Sequence, residues 1–391
     1  MKLKQIPEDF RVDEVTDIAP STEGPFVLYR LEKKNWTTPD ALQVIRQRWK
    51  VPSQRLSFGG LKDRHAHTIQ YFTILNGPER QLNQPGIAVT PLGRAVQPFQ
   101  SSDIRVNRFT LTLRSMSAKA IEAGRSSVAD LERSGVPNYF DEQRFGSVGY
   151  DGRFVAKEMV LGRYDQALKT ALSAPYEHDR AAMKQEKALL REAWGDWPRL
   201  KEQLPRGQAR NIINYLAHHP DDFRGAIERI KPELRSLYLA AWQSQLWNQM
   251  LGRWMIDTFS HSRLMGMRFR MGDLPVPKNV PADKLEMWRT LMLPLPSARI
   301  KIDPAAPWAK SLEAVMEQEE VRLDQVKLKD FRKPFFSKGD RPAAVIPQGL
   351  NVREERDDLN SGKWKWVLRF DLPRGCYATM IVKRLTQMRD D

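Results

Sequence analysis

Apolar and polar residues alternate along short segments near both ends of the chain, as they do in half-buried β-strands. Residues 109–114 alternate position by position, and residues 364–372 repeat the pattern near the C-terminus. The apolar run at 26–31 is also strand-like. These segments predict a sheet built from strands that lie far apart in the sequence.

Helical periodicity follows the first predicted strand. Thr38-Pro39-Asp40 predicts the start of a helix, with Thr38 as N-cap and Pro39 at the first helical position. Apolar residues then recur at helical spacing, namely Leu42, Ile45 and Trp49. A second helix is predicted over about 117–133, and a third is predicted after residue 377 from the stripe Ala378, Ile381, Val382 and Leu385.

The middle of the chain has a different pattern. Residues 152–339 are mostly of helical character, interrupted by prolines, and the segment 234–254 is apolar nearly all round, which predicts a buried helix. Strand-rich ends around a helical middle predict one domain interrupted by an inserted one. We expect the bounds 1–151 and 340–391 for the interrupted domain and 152–339 for the insertion.

The amino-acid composition indicates what kind of molecule the protein binds. The 391 residues include 63 Lys and Arg against 48 Asp and Glu, which gives a formal net charge of +15. Such a balance favours a polyanion such as nucleic acid, because binding releases counterions from phosphates. One cysteine, Cys376, excludes an intrachain disulfide and fits a reducing compartment. With neither a signal-peptide pattern nor an apolar run of membrane-spanning length, the expected location is the cytoplasm.

The segment Phe58-Gly59-Gly60-Leu61-Lys62-Asp63-Arg64-His65 holds the sharpest candidate chemistry. It sets one carboxylate, Asp63, between two cations on a glycine-containing turn before an apolar strand. Flanking cations favour the ionised form of a carboxylate, which suits a nucleophile better than a general acid. The same residues also fit a plain turn in which Asp63 caps an amide or pairs with a neighbouring cation. The segment alone leaves both interpretations open.

Other reaction classes have less support. A glycosidase needs two cooperating carboxylates, and the nearest acidic pair, 141–142, belongs to a different segment, so this class stays weakly open. The pairs His65/His67 and His218/His219 lack a third metal ligand at a recognisable spacing, so no metal site is predicted. There is no phosphate-binding glycine loop. Cys376 is expected to be a buried structural thiol. A cofactor-free reaction at Asp63 is the enzymatic hypothesis that remains.

Two further segments mix aromatic and basic residues. Residues 138–146 contain an amide, two aromatic residues and Arg144, which could stack on an unpaired base; they could equally be a polar loop with its aromatics in the core. Residues 327–341 interleave phenylalanines with cations that are RNA-binding candidates, although a solvated charged surface is the commoner outcome. These candidates are Lys329, Arg332 and Lys333.

Five motifs in one order resemble the TruD family of RNA pseudouridine synthases. Gly60-Leu61-Lys62-Asp63-Arg64-His65-Ala66 and Asn138-Tyr139-Phe140-x-x-Gln143-Arg144-Phe145-Gly146 carry the resemblance most strongly. Three more stretches agree, at 6–12, 243–248 and 372–379. The resemblance implies an α+β fold: a pseudouridine synthase core with a mixed or antiparallel sheet flanked by helices, interrupted by a mostly helical TRUD insertion domain.

The resemblance also implies a function. Its members isomerise a uridine in tRNA, at position 13 of the D arm in bacteria, and need no cofactor. Carried onto this chain, the catalytic residue is Asp63, and Lys4 is expected to pair with it. Phe10 and Phe140 are expected to border the flipped uracil, with Asn138 supporting the site. Further RNA-binding candidates are Lys62, Arg64 and Arg144. No obligate protein partner is evident.

One departure and one alternative accompany this hypothesis. Asp141 stands where the family usually has glycine, so a left-handed turn there would have to be adopted by an aspartate, which tolerates that conformation better than most residues. The alternative to an enzyme is a noncatalytic RNA-binding or RNA-remodelling protein on the same fold, which would have no need of a nucleophile at Asp63.

Overall fold

A computed structural model of the chain describes residues 1–149, 151–176, 179–328, 331 and 335–386, together with the main chain of 388–389. The chain forms two compact units. The core unit is Met1–Gly135 with Val345–Thr386, and the inserted unit is Val136–Ala344 with Gln387–Asp391. The architecture is α+β, as the sequence predicts.

Strands dominate the core unit, whereas helices dominate the inserted unit. The strands are β1 (Lys2–Leu3), β2 (Phe10–Thr16), β3 (Phe26–Lys34), β4 (Leu56–Phe58), β5 (His67–Leu75), β6 (Leu82–Gln84), β7 (Ile87–Ala95), β8 (Ile104–Met116), β9 (Val136–Pro137), β10 (Leu264–Phe269), β11 (Gly272–Pro277), β12 (Met292–Pro294), β13 (Asp340–Pro342), β14 (Ala344–Val345), β15 (Gln348–Arg356), β16 (Trp364–Leu372) and β17 (Met388–Arg389). The α-helices are α1 (Thr38–Trp49), α2 (Ala118–Ser134), α3 (Val155–Val160), α4 (Tyr164–Ser173), α5 (Ala181–Glu192), α6 (Trp197–Gln203), α7 (Gln208–His218), α8 (Phe223–Glu228), α9 (Pro232–Thr258), α10 (Ala282–Thr290), α11 (Ala309–Gln318) and α12 (Ala378–Thr386).

The core unit is organised by one large mixed sheet. Its strands follow the order β15-β16-β8-β2-β5-β3-β7-β6, with β1 beside β8 and β4 beside β5. Among the pairs described, β2 and β5 run parallel, with Arg11 opposite His67, and the others run antiparallel. Two parallel strands begin at the same edge of a sheet. The start of β2 at Phe10 and the loop that enters β5 therefore lie at one edge.

The predicted strand and helix patterns near the ends are confirmed. In β16, every second residue from Trp366 to Leu372 is buried, and the residues between them are not, as the alternation predicts. Helix α2 begins after its N-cap Ser117, whose side chain accepts a hydrogen bond from the amide of Ala120. Gly124 in α2 lies against Trp366, because a Cβ added there would be 2.2 Å from Cη2 of the indole.

The predicted cap of α1 is wrong by one residue. Thr37 is the N-cap, with its hydroxyl accepting from the amide of Asp40 at 3.2 Å, and Thr38 is the first helical residue. The side chain of Thr38 is buried instead. The two hydroxyls have different partners because Thr37 has an extended backbone at the start of the helix, whereas the Thr38 hydroxyl donates to Gln70 on β5. The buried face of α1 packs on β3 and β5, with Trp49 5.1 Å from Tyr29 between ring centroids.

The inserted unit is mostly helical, with two small antiparallel sheets formed by β11-β10-β17 and β12-β13. Its longest helix, α9, buries three of its tryptophans: Trp242, Trp247 and Trp254. The prediction of burial nearly all round is wrong at Leu237, which is 52% exposed and lies early in the helix. In the parts of the chain that the structure describes, no helix is long and apolar enough to cross a membrane.

The compact units divide at other residues than the predicted domains. The inserted unit takes in residues 136–151 because this segment bonds to residues further along the same unit. The amide of Asn138 donates to the carbonyl of Ala343 at 2.7 Å, and its side chain donates to the carbonyl of Pro342 at 3.1 Å. The predicted domain bounds at 151 and 339 stay predictions.

A buried charge cluster holds the N-terminal segment to the core sheet. The guanidinium of Arg114, on β8, donates to Asp9 at 2.8 Å and to Asp357 at 3.0 Å, and all three residues are less than a tenth exposed. Burial would lower the pKa of Arg114, but the hydrogen bonds to the surrounding aspartates raise it above its ordinary value. Asp9 also accepts from the amide of Ile6 at 3.1 Å. The residues just before β2 are thus fixed to the sheet.

Asp357 should govern part of the acid stability. Burial would raise its pKa, but hydrogen bonds from the amides of Ser115 and Leu359, from Asn360 and from Arg114 lower it to about 2. Because the folded pKa lies below the ordinary value of 3.8, this stabilisation is present above pH 3.8 and lost as the pH falls towards 2. It amounts to about 2 kcal/mol.

We therefore expect the free energy of unfolding to fall between pH 4 and pH 2 less steeply in Asp357→Asn than in the wild type. Urea titrations at several pH values measure this slope. Asp103→Asn, which alters an aspartate of a short surface turn, serves as the control. Equal slopes for wild type and Asp357→Asn would contradict the assignment.

Candidate active site

Asp63 lies in the loop of residues 59–66, between β4 and β5, at the edge of the sheet where β2 also begins. Its Oδ2 accepts a hydrogen bond from Nζ of Lys4 at 2.7 Å. The two side chains are 40% and 28% exposed, so the ion pair faces solvent in part. The ion-pair partner of Asp63 is thus Lys4, and neither Lys62 nor Arg64 beside it in the sequence.

Lys4 has an unusual backbone. Its φ is 60°, in the left-handed region that side chains other than glycine rarely adopt. Its Nζ lies 3.9 Å from the ring centroid of Phe10 as well as beside Asp63. A non-glycine residue is held in this region only where its surroundings stabilise it. The Lys4 ammonium thus contacts both the Asp63 carboxylate and the face of the Phe10 ring.

The main chain of the Asp63 loop is anchored by buried groups. The amide of Lys62 donates to Oγ1 of Thr38 at 2.9 Å, and that hydroxyl donates to Oε1 of Gln70 at 2.9 Å. Nζ of Lys33 donates to the carbonyl of Asp63 at 2.8 Å. Thr38, Gln70 and Lys33 are each fully buried. The main chain around Asp63 is therefore held by hydrogen bonds to side chains that are inaccessible to solvent.

The start of the loop packs closely on the sheet. A Cβ added to Gly59 would lie 2.6 Å from Cδ1 of Ile104 and 2.9 Å from Cε1 of Phe99, whereas one added to Gly60 would have open space. The two adjacent glycines thus differ: Gly59 is required for close packing and Gly60 is not.

The cations flanking Asp63 have different environments. Nζ of Lys62 lies 2.8 Å from Oε1 of the buried Glu14 and donates to Oδ1 of Asn107 at 3.0 Å. The Lys62 side chain is only 11% exposed, so its charge compensates Glu14. That Lys62 also contacts RNA stays a prediction. Arg64 and His65 are exposed, and Arg64 stays a candidate.

The histidine pair near the site has no metal-binding geometry. His67 is buried on β5, and its Nε2 lies 2.7 Å from Oε1 of Glu32. Burial would raise the pKa of Glu32, but hydrogen bonds from His67 and Arg30 lower it below its ordinary value. Within the described ranges, no group of three or more His, Cys, Asp or Glu could hold a metal ion.

A second set of predicted residues lies in the inserted unit. Asn138 is buried, and Arg341 bonds it twice, from Nε to its carbonyl at 2.9 Å and from Nη2 to its Oδ1 at 2.7 Å. The Arg341 guanidinium also lies 4.1 Å from the ring centroid of Phe140. Arg144 donates to Oγ of Ser244 at 3.1 Å and lies 5.4 Å from the same ring. Arg341 thus ties two predicted site residues together.

Arg341 is absent from the predicted set of site residues. Its only signal in the sequence is its place at the end of the segment 327–341, where cations and aromatics interleave. Lys329, Arg332 and Lys333 in that segment lie outside the described residues. Asp141 has φ −85° and ψ 170°, an extended conformation open to any residue, so no left-handed turn is needed. Cys376 is half-buried and not fully buried as predicted.

Comparison with known proteins gives a family. The family described as tRNA pseudouridine synthase D (TruD) matches residues 1–385. The chain is 28% identical to a protein of Methanococcus maripaludis named "Probable tRNA pseudouridine synthase D 1", over 98% of this chain and 99% of that relative. It is 27% identical to the "tRNA pseudouridine synthase D" of Aquifex aeolicus, over 98% of each chain.

The fold has a solved counterpart. The crystal structure of a putative tRNA pseudouridine synthase D (TruD) from Methanosarcina mazei superposes with a TM-score of 0.75. The match covers 98% of this chain and 93% of that one at 24% identity. At this identity the likeness bears on the fold alone.

The two threonines at the start of α1 allow a matched test of the loop anchor. We expect both Thr37→Val and Thr38→Val to lower the free energy of unfolding, by about 1 kcal/mol for the lost cap and by about 1–3 kcal/mol for the buried hydroxyl. Only Thr38→Val should speed hydrogen exchange at the Lys62 amide, because only Thr38 accepts from it. If exchange at the Lys62 amide were faster only in Thr37→Val, Thr37 would be the acceptor for that amide, and Thr38 would be the N-cap.

Proposed function

The chain belongs to the tRNA pseudouridine synthase D (TruD) family, and on this premise we propose that it isomerises uridine to pseudouridine in tRNA with Asp63 as the catalytic residue. The observation that carries the proposal is the Lys4–Asp63 ion pair at 2.7 Å, on a loop whose main chain is anchored by buried groups. A partly exposed carboxylate held in one place suits a reaction on a large polyanionic substrate.

The reaction needs bond changes at the ribose and the base. The N1–C1′ bond of the uridine breaks, the uracil turns, and a C5–C1′ bond forms. The proton on C5 is lost and N1 gains one, so substrate and product are isomers. In one route Asp63 attacks C1′ as the N1–C1′ bond breaks, and C5 of the turned uracil later displaces the carboxylate from C1′. In the other, Asp63 takes the proton from C2′ to give a glycal and returns it when C5 bonds to C1′. Both routes need its carboxylate ionised and beside C1′ and C2′ of the ribose. No cofactor takes part in either route.

Lys4 and Phe10 support this chemistry by position. The Lys4 ammonium compensates the charge of Asp63 and fixes the direction of its carboxylate, at the cost of a left-handed backbone. The Phe10 ring, at the start of β2, is 5% exposed and lies under the Lys4 ammonium. We propose its remaining exposed part as an apolar wall for a uracil that has left its stack. Asn138 and Phe140 are proposed as support residues of the same reaction, and Lys62, Arg64 and Arg144 as RNA contacts.

We further propose the substrate position and the setting. The target is uridine 13 in the D arm of tRNA, in the cytoplasm, which rests on the family resemblance of the motifs around Asp63 and Asn138. A formal charge of +15 supports binding of a polyanion. The alternative, a noncatalytic RNA-binding protein on this fold, is disfavoured by the ordered Lys4–Asp63 pair, which binding alone does not require.

Asp63→Asn should abolish pseudouridine formation, because the amide keeps the size of the side chain but is neither nucleophilic nor basic. Chemical mapping of pseudouridine in unmodified tRNA, incubated with purified protein, measures this. Asp17→Asn is the matched control, since Asp17 is 72% exposed and pairs only loosely with Arg105. Equal yields from wild type and Asp63→Asn would overturn the catalytic role. An inactive wild type across a tRNA pool would favour the noncatalytic alternative.

Lys4→Met should lower the single-turnover rate by about tenfold or more, because a misplaced catalytic group costs that much even when its chemistry is intact. Lys4→Arg keeps a cation and should recover part of the rate. Lys2→Met, two residues earlier, changes an exposed lysine that bonds Asn360 at 3.1 Å and should leave the rate unchanged. A full rate in Lys4→Met would remove Lys4 from the site.

A further inference from the structure

Lys33 is a lysine on the buried face of a strand. In β3, Val27, Tyr29 and Leu31 alternate into the core against α1, and Lys33 is the next residue of the same parity. Its exposed fraction is 0%, which is rare for lysine unless the ammonium group is fully bonded. The reaction proposed above makes no use of it. Its neighbour Lys34 is half-buried and pairs with Glu8 at 2.9 Å, as an ordinary strand-end lysine does.

Among the residues that the structure describes, the Lys33 ammonium contacts three carbonyl oxygens and no carboxylate. Its Nζ donates to the carbonyls of Trp36 at 2.8 Å, Asp63 at 2.8 Å and Lys62 at 3.4 Å. An ammonium has three donors and no acceptor, so these three acceptors use all of its hydrogen-bonding capacity. Two of them belong to the catalytic loop, and one of those is the carbonyl of Asp63 itself. The third belongs to the turn between β3 and α1.

We propose that Lys33 is a positioning residue, whose buried charged ammonium clamps the main chain of the Asp63 loop and so sets where the Asp63 carboxylate lies. The proposal rests on the proposed function, because it takes Asp63 as the catalytic residue. Lys33 itself reaches no substrate, since it has no exposed surface. Its effect is on the rate of the chemical step and not on tRNA binding.

The clamp depends on the protonation state of Lys33. A neutral amine has two donors and one lone pair, so on losing its proton Lys33 would set that lone pair against one of the three carbonyl oxygens. Burial lowers the pKa of Lys33 to about 8, an effect that Asp63 opposes and Lys62 adds to. The clamp is therefore nearly complete at pH 6 and is lost progressively as the pH rises through about 8.

In the part of the chain that the structure describes, the groups around Lys33 leave its charge without a close anionic partner. Its cross-strand neighbours are Thr68 on β5 and Ile87 on β7, which carry no charge. On α1, Asp40 is exposed and bonds the hydroxyl of Thr37 at 2.6 Å. The charges that act on Lys33 are those of the loop, Asp63 and Lys62. The conformation of the Asp63 loop and the protonation of Lys33 are therefore linked.

Kinetics give the first test. In Lys33→Met, whose side chain fills similar space without a donor, the single-turnover rate with unmodified tRNA should fall between about tenfold and a hundredfold. KM should stay within about twofold, because no RNA contact is lost. The wild-type rate should decline as the pH rises through 8, and Lys33→Met should lack that decline. Lys34→Met is the matched control and should keep both the rate and the pH profile of the wild type.

Hydrogen exchange gives the second test and needs no activity. Corrected for the intrinsic pH dependence, exchange of amides in residues 59–66 should be faster in Lys33→Met than in wild type and Lys34→Met, and faster in wild type at pH 9.5 than at pH 6.5. Unfolding curves show whether Lys33→Met is folded; if it is not, the wild-type pH series decides alone.

The outcomes separate the two claims. Unchanged loop exchange in Lys33→Met and across the wild-type pH series would overturn the clamp, whatever the activity. A loosened loop with an unchanged rate, or a loss confined to KM, would overturn the positioning role. A wild-type protein that modifies no tRNA would count against the proposed function and its positioning residue, while loop exchange would still decide whether the clamp exists.

Discussion

The hydrogen bonds to the main chain of the Asp63 loop are the interactions on which the site depends. A carboxylate that acts on RNA must be accessible, and Asp63 is 40% exposed, so burial of its own side chain cannot hold it. The loop is held instead through the Lys62 amide and the Asp63 carbonyl, by Thr38 and Lys33, both fully buried. Buried polar groups thus fix the main chain of the loop and leave the Asp63 carboxylate exposed, which is the preorganisation that the proposed reaction requires.

The topology of the core sheet explains why Lys4, Phe10 and Asp63 meet. Strands β2 and β5 are the parallel pair, so the chain enters both at the same edge of the sheet. The residues before β2 carry Lys4, and the loop before β5 carries Asp63. Arg114, on β8, holds the segment before β2 in place by its hydrogen bond to Asp9, five residues after Lys4. Two parts of the chain about sixty residues apart are thus delivered to one edge, and the Lys4–Asp63 ion pair joins them.

Local patterns in the sequence predicted the elements well, and long-range polar contacts poorly. The alternation at 364–372 and the extent of α2 were accessible because period and caps are local properties. The cap of α1 was misassigned because two adjacent threonines are equally good caps, and only the sheet beneath shows that Thr38 faces inward. Lys33 had a usable signal, since it follows Leu31 at the spacing of the buried face, but a charged residue at the end of a strand usually marks solvent.

The site itself was predicted through family motifs more than through physics. Flanking cations suggested partners for Asp63, yet Lys62 pairs with Glu14, because a buried carboxylate needs a countercharge more than an exposed one does. The partner of Asp63 lies 59 positions earlier, and nothing local in the sequence indicates that distance. Arg341 was likewise outside local reasoning, since its bonds to Asn138 span 203 positions.

The central claim is that this loop presents Asp63 to the ribose of a tRNA uridine. A crystal structure of the Asp63→Asn protein with unmodified tRNA tests it most directly, because the variant should bind the substrate without converting it. The account predicts a uridine turned out of its helix, with C1′ about 3–3.5 Å from the side chain of residue 63. A bound tRNA whose bases all remain stacked, or whose nearest ribose lies well away from residue 63, would contradict it.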